Sequence, residues 1–373
     1  MKVLTISTDR KIFEVESPSA KRMIEYGQLF EEFSLIIFSL KKSGLKVTSL
    51  SPRVKVYPTA SFSRAFYLWD ALLLGFKIIR TNHYGSTDFV SVQDPFETGL
   101  VGWCLVKWFK LNFQVQIHTD PFSPYFGQVS WLNWFRQQMM KITLPRADIV
   151  RVVSERVVLG LHQKFPKLKA IVKKLPITSP INNSQNLELE LDLSPFSFIA
   201  LVTSRLEKEK NLPLLIKTWS LVAAKIPTAG LIIAGVGREE KRLKELVKKF
   251  DLEKKVIFTG WQKSLEPLYV KSQCFISTSY YEGYGLALLE AARAGLPVIS
   301  SEVGLVGEIL IPNESVLAYK QDDVRSLSES IIKVAEDPVL RKKLGAQAKV
   351  AAEKHNLTAD NYLAQYVDTF KLS

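Results

Sequence analysis

Short continuous apolar runs recur along the chain, separated by longer stretches whose apolar positions fall three and four apart. The first pattern belongs to a strand buried on both faces, the second to a helix with one covered side. In the first half, 3–7, 34–39, 46–57 (broken at Pro52), 88–93, 113–118, 147–154 and 169–175 read as strands. Helical patterns fill 20–33, 63–77, 98–110, 131–144 and 155–165. The second half restarts the alternation, with strands at 196–202, 229–235, 255–260, 274–277 and from 298. Its helices read at 211–224, 238–250, 266–271, 286–294, 326–335, 339–353 and 358–371. Such alternation predicts an α/β protein with parallel sheets covered on both faces.

Between the halves, 178–195 is turn-rich, running Thr178-Ser179-Pro180-Ile181-Asn182-Asn183-Ser184 and closing at Ser194-Pro195. The expected organisation is two doubly wound Rossmann-like domains facing a cleft. The first occupies 1–180, a linker 181–195 and the second domain 196–355. A last helix within 356–373 is expected to pack back on the first domain. A chain of 373 residues fits two cores better than one. Ligands of such sheets bind beyond the carboxyl ends of the strands, here expected in the cleft.

Composition narrows the class. An apolar fraction of 47% and a charged fraction of 23% are those of a soluble globular protein. The N-terminus reads as a strand followed by charges, not as a secretory leader. No apolar run reaches the roughly 20 residues that span a bilayer, since 68–79 is interrupted by Asp70 and Lys77. Cys104 and Cys274 lie far apart in apolar surroundings and read as reduced core residues, which points to the cytoplasm. Four histidines and no zinc-ligand spacing leave no expected metal site.

The net charge of +13 is uneven. Residues 1–187 hold 25 Lys and Arg against 13 Asp and Glu, a net +12; residues 188–373 hold 25 against 24, a net +1. A basic half fits an acidic substrate, nucleic acid or an anionic membrane. Trp103, Trp108, Phe109, Phe113, Trp131, Trp134 and Phe135 lie among its cations. They fit a peripheral position on the inner face of the cell membrane, or equally a core beneath a basic solvated surface. No helix-turn-helix, zinc or oligonucleotide-binding pattern supports nucleic acid.

Two stretches carry candidate chemistry. In Ser277-Thr278-Ser279-Tyr280-Tyr281-Glu282-Gly283-Tyr284-Gly285-Leu286, a strand gives way to a loop and then a helix. Gly283 and Gly285 let backbone approach a ligand closely. A helix starting near Gly285 presents free N–H groups and the positive end of its dipole, which suits phosphate. Glu282 in the loop and Glu290 in the helix then place one carboxylate toward a sugar and one toward a ribose. The alternative is a solvated glutamate pair flanking an ordinary helix. In the second stretch, Val202-Thr203-Ser204-Arg205-Leu206-Glu207-Lys208-Glu209-Lys210-Asn211, Arg205 and Lys210 can converge on a diphosphate. The alternative there is a salt-bridged surface loop.

Together these stretches resemble the retaining, nucleotide-sugar-dependent glycosyltransferases of the GT-B fold, in glycosyltransferase family 4. Ser204-Arg205-Leu206…Lys210-Asn211 is similar to that family's Gly-Arg-Leu…Lys-Asn segment, and Glu282…Glu290-Ala291 to its Glu-x7-Glu segment followed by Ala. Gly235-Val236-Gly237 and Phe258-Thr259-Gly260 fall at the expected places between them, so the resemblance covers roughly 196–320. It implies that Arg205 and Lys210 hold the diphosphate leaving group and balance its charge. Glu282 would hydrogen-bond donor-sugar hydroxyls and Glu290 the ribose. The N–H groups of Gly285 and Leu286 would meet phosphate, beside Gly283 and Tyr284, with the base between the Gly235–Gly237 and Gly260 loops. It further implies front-face attack, with the leaving phosphate taking the acceptor proton, and no metal or cofactor beyond the donor. The implied partners are a nucleotide-diphosphate sugar and a glycan or lipid-linked acceptor.

In the first domain, Ile117-His118-Thr119-Asp120-Pro121 resembles the family's histidine beside the donor sugar, which nominates His118 with Asp120 next to it. A locally bonded strand-end histidine is the alternative. Gln93 to Gly99 is expected to line the acceptor side. The family's glycine-rich loop after the first strand is replaced by Ser7-Thr8-Asp9-Arg10-Lys11-Ile12-Phe13, and Ser204 stands where the family has glycine. A nucleotide-sugar epimerase of the same fold would need further acid and base groups. A catalytically silent nucleotide-sugar-binding protein would not need Arg205, Lys210, Glu282 and Glu290 together.

Overall fold

The computed structural model describes residues 1–177 and 191–372, which fall into two compact units. The first takes in the described residues of Met1–Phe122, Ser130–Pro176 and Thr358–Ser373. The second takes in those of Ser123–Val129 and Ile177–Leu357. Most of the stretch expected as linker, 181–190, lies outside the described residues.

The first unit holds an eight-stranded sheet. Its strands are β1 (Lys2–Ser7), β2 (Glu32–Ile37), β3 (Thr48–Ser51), β4 (Val54–Pro58), β5 (Phe89–Val92), β6 (Asn112–Ile117), β7 (Ile149–Val152) and β8 (Ile171–Lys174). They run in the order β3-β4-β2-β1-β5-β6-β7-β8. All neighbours are parallel except β3 and β4, an antiparallel edge pair. The single strand expected over 46–57 is therefore two, turned at Pro52, which cannot donate to a ladder. Every residue of β5 and β7 is buried, as a sheet covered on both faces requires.

The helix expected over 20–33 stops early, as Pro18–Gly27. Ser17 caps its start by accepting from the Ala20 N–H, and Pro18 sits at the first helical position, where its missing N–H costs nothing. It ends because Glu32 and Phe33 are claimed by pairing with Lys2 and Val3 of β1. Gly27 is needed at the crossing, where a Cβ would lie 2.0 Å from Val54 Cγ2. The C-terminal helix Ala359–Asp368 packs within this unit. Tyr366 stacks on Tyr26 at 3.8 Å, and Gln114 Nε2 donates to the Thr369 carbonyl at 2.6 Å.

The second unit holds β9 (Phe198–Thr203), β10 (Ala229–Ala234), β11 (Val256–Gly260), β12 (Cys274–Ser277), β13 (Val298–Ser301) and β14 (Leu317–Tyr319). They form a wholly parallel sheet in the order β11-β10-β9-β12-β13-β14. β14 carries no pattern of its own and is fixed by pairing with β13. Trp219, fully buried on the helix Leu212–Lys225, anchors the core with Leu215, Leu231 and Ile331; each such side chain stabilises by roughly 2 kcal/mol. Cys274 is buried and free, but Cys104 is exposed. The expectation that both cysteines are core residues fails at Cys104, which lies on the outer side of the helix Glu97–Phe109.

Among the parallel strands each sheet reverses its chain order once, between β1 and β5 in the first unit and between β9 and β12 in the second. At such a reversal the loops leaving the carboxyl ends of adjacent strands part to opposite faces and leave a crevice for ligand.

Candidate functional site

In the second unit the order reverses between β9 and β12, and the loops that follow these two strands lie side by side. Lys210 and Glu282 come from these two loops. Lys210 Nζ donates to Glu282 Oε1 at 2.5 Å, with the two side chains 13% and 21% exposed. Ser279 Oγ donates to the same carboxylate oxygen at 2.8 Å. Backbone bonds zip the loops together: the Tyr280 N–H donates to the Glu209 carbonyl and Thr278 Oγ1 to the Lys210 carbonyl, each at 2.8 Å. A second layer supports them, with Ser301 Oγ and Gln321 Nε2 both donating to the Ser279 carbonyl. The pair is thus held by the fold before any ligand arrives.

Arg205 is placed differently. It is 74% exposed and, among the described residues, its side chain reaches only Glu209, at 3.0 Å. An exposed pair of this kind contributes little to stability, and the guanidinium exchanges Glu209 for another anion at small cost. Glu290 lies on the helix Leu286–Arg293, where Tyr269 Oη donates to its Oε2 at 3.1 Å. Burial and the Glu290 charge raise the Tyr269 hydroxyl well above its usual range, so it stays a donor.

Gly285 precedes that helix with φ +88, a left-handed conformation that glycine adopts without strain, and no side chain caps the helix start. Leu286 and Ala287 have no helical carbonyl behind their N–H groups, the condition for anion binding. Tyr284 contributes backbone rather than side chain to this loop, being 3% exposed. Its carbonyl lies against Gly304, where a Cβ would come within 2.4 Å. Gly283 is buried beside it. The helix C-terminus closes through Gly295 at φ +77, with Gly295 donating to Ala292 and Leu296 to Ala291.

Gly235 and Gly237 make the loop after β10 pack on the loop after β9. A Cβ at Gly235 would lie 1.9 Å from the Ser204 carbonyl oxygen, and one at Gly237 2.2 Å from that of Leu206. The Gly235 N–H donates to the Gly260 carbonyl at 2.8 Å, which joins the loops after β10 and β11. Gly260 itself has φ +67 and open space around it. Ser204 buries its hydroxyl without a hydrogen-bond partner among the described residues.

The first unit brings Ser7, Gln93 and His118 to the carboxyl ends of the adjacent strands β1, β5 and β6. Ser7 Oγ donates to Gln93 Oε1 at 2.5 Å, and the Thr8 N–H to the same oxygen at 3.0 Å. In place of a glycine-rich loop, Asp9 caps a turn by accepting from the Lys11 N–H and binds Ser19 Oγ at 2.7 Å. Asp120 is buried and accepts from the Phe122 N–H at 3.1 Å, which shapes the loop after His118.

His118 belongs to a polar chain that the sequence reading missed. Its Nε2 lies 2.8 Å from Gln116 Oε1, which also accepts from Arg151 Nη2 at 2.5 Å. Gln116 Nε2 donates to Ser91 Oγ, which donates in turn to Gln114 Oε1, each at 2.8 Å. With Oε1 as acceptor, Nε2 of His118 carries the proton and Nδ1 keeps its lone pair. Gln114, Gln116 and His118 alternate with buried Val115 and Ile117, a period-two polar stripe on a buried strand that could have flagged the network.

Two shifts in this unit give a signed prediction. Burial, then the Arg151 and Arg22 charges, push His118 from 6.5 down to about 3. Burial and Glu97 push Asp94, beside Gln93, from 3.8 up to about 6. As pH falls below about 6.5 the unfolded chain protonates its histidine first, so neutral His118 contributes stability that is lost toward about pH 3. Protonated Asp94 contributes stability below about 3.8 that is lost as pH rises toward about 6. Between those limits the two oppose, each with a slope near 1.4 kcal/mol per pH unit. Urea midpoints of Asp94→Asn are therefore expected to fall more steeply with acidification than those of the unaltered chain. Parallel profiles would contradict the assignment.

Residues 191–351 match the model of the family described as glycosyl transferases group 1. The poly(glycerol-phosphate) alpha-glucosyltransferase of Bacillus subtilis (strain 168) is 29% identical over 177 residues, 47% of this chain and 26% of that protein. The chain spans less than half of two other curated relatives as well, 40% and 49% of their lengths. Among solved structures, the sucrose-phosphate synthase of Thermosynechococcus elongatus superposes with a TM-score of 0.79 at 19% identity, over 99% of this chain and 98% of that one. The fold is GT-B. Another GT-B neighbour, Anabaena HepE in complex with UDP-glucose, superposes with a TM-score of 0.73 at 18% identity over 99% of both chains. Arg205, Lys210, Glu282, Glu290 and the glycine loops all fall inside the stretch matched to the family, and His118 and Asp120 fall outside it.

Proposed function

We propose that the chain is a retaining glycosyltransferase of family 4, moving a sugar from a nucleotide-diphosphate sugar to a glycan or lipid-linked acceptor without a metal. The observation that carries the reading is the partly buried Lys210–Glu282 pair beside a glycine-started helix, at the order reversal of a GT-B sheet. Lys210, Arg205 and the N–H groups at Gly285 and Leu286 take the diphosphate. Glu282 takes the sugar hydroxyls and Glu290 the ribose. As the bond from the anomeric carbon to the phosphate oxygen breaks, the acceptor oxygen bonds on the same face and its proton passes to the leaving phosphate. The cations and the helix end stabilise the charge that develops there. His118 is assigned to the same reaction by sequence resemblance alone, its Nδ1 lone pair accepting from a hydroxyl. The relative named for alpha-glucosyl transfer and the neighbour solved with UDP-glucose support this donor class. Neither an epimerase nor a silent binding protein is favoured.

The test uses UDP-glucose without acceptor, with the released sugar followed by proton NMR. The α anomer is expected to appear first, unaffected by a chelator. The β anomer first would overturn retention, and loss with chelator restored by magnesium would overturn metal independence. If no nucleotide sugar in a panel is hydrolysed or raises the melting temperature, the donor reading fails.

A further inference from the structure

Three neighbouring helices of the first unit leave their outer sides uncovered. On the helix Tyr67–Thr81, Trp69, Leu73, Lys77 and Arg80 fall four, four and three apart, a single stripe, and all are exposed. The helix Glu97–Phe109 packs between it and the helix Trp131–Thr143, with Phe76 and Trp108 in ring contact at 5.5 Å. Trp108 is 66% exposed, Trp131 76%, Trp134 53% and Phe135 47%. The second unit, among its described residues, exposes one large aromatic side chain, Trp261. Lys77, Arg80, Lys107, Lys110 and Lys141 stand exposed among these rings. The carboxylates on the three helices are Asp70 and Glu97, both half-buried, and Glu97 is paired with Arg136 at 3.0 Å.

We propose that this face docks on an anionic lipid bilayer, with the aromatics entering the headgroup layer and the cations meeting lipid phosphate. Tryptophan places an apolar ring in the acyl boundary and its N–H in the wet layer, while lysine keeps its charge outside. Exposed aromatics of this extent mark an interaction surface. A second copy does not fit, because a two-fold contact would set the cationic face against itself. No described helix is long and apolar enough to cross a membrane, so docking is peripheral. The inference rests on the transferase reading for its purpose, since it selects a lipid-linked acceptor presented at the bilayer over a soluble glycan.

The full chain is mixed with vesicles of phosphatidylglycerol and phosphatidylcholine in equal parts, or of phosphatidylcholine alone, and floated. It is expected to rise with the anionic vesicles only, with a blue shift of tryptophan emission. Trp131→Ser/Trp134→Ser is expected to abolish flotation. Lys107→Gln and Lys141→Gln are each expected to weaken it about fivefold, the attraction of one cation to a charged leaflet. UDP-glucose hydrolysis in solution is expected to be unchanged in all of these variants. Equal binding to both vesicle types, no binding, or binding indifferent to the substitutions would overturn the proposal. So would self-association, measured by sedimentation, that the tryptophan substitutions abolish. Flotation with no nucleotide sugar of the panel hydrolysed or bound would overturn the transferase reading and leave the docking face standing.

Discussion

Lys210→Ala is expected to abolish sugar transfer and also to lower the stability of the second unit by about 3 kcal/mol. The second effect follows from the surroundings of Glu282. Its carboxylate is 21% exposed and is met by Lys210 and Ser279. Removing the ammonium leaves an under-compensated charge in a partly buried site, which costs more than the pair itself contributes. Lys210→Met/Glu282→Gln removes both charges while keeping volume, and is expected to return to within about 1 kcal/mol of the unaltered chain without regaining activity. Chemical denaturation of Lys210→Met, of Glu282→Gln and of the double variant gives the coupling directly. Additive losses would mean that the pair is not coupled as the geometry requires.

The second large effect is expected at Gly235. With φ +136 and the Ser204 carbonyl oxygen 1.9 Å from where a Cβ would stand, alanine must displace one backbone segment from another. Left-handed strain and overpacking together are expected to destabilise by at least about 3 kcal/mol and to disrupt the loop that carries Arg205. Gly260→Ala makes the control. It also has positive φ, but nothing lies within 4 Å of its Cβ, so only the strain of about 1 kcal/mol applies. Equal effects at the two positions would show that conformational preference, not loop packing, is what glycine supplies here.

These two cases also show how far the sequence could be read. The strand–helix alternation survives folding because each parallel strand must be apolar on both sides, so the runs at 274–277 and 298–301 mark β12 and β13 by themselves. The glycines of the Glu282 loop were legible for the same local reason. What the sequence hid was non-local. Glu32 and Phe33 extend a helical pattern and become strand only through β1. Leu317–Tyr319 is too short to carry a period and is a strand only beside β13. Gly235 and Gly237 also pack on the Ser204–Leu206 backbone, a contact that no local pattern announces. Gln116 and Arg151 reach His118 from one strand and its neighbour, a contact that pairing register alone creates. Ser123–Val129, distant in sequence, stacks Tyr125 on Tyr280 at 5.1 Å within the second unit.

On the proposed function, the adjoining loops after β9 and β12 bind the diphosphate of a nucleotide sugar through Lys210 and its partners. Titration calorimetry of UDP into the unaltered chain and into Lys210→Met/Glu282→Gln addresses it most directly. Saturable binding is expected for the first. For the second, with an unchanged melting temperature, affinity is expected to fall on the order of a hundredfold, the loss of a charge-assisted hydrogen bond to phosphate. Equal affinity in the two proteins would contradict a diphosphate site at Lys210.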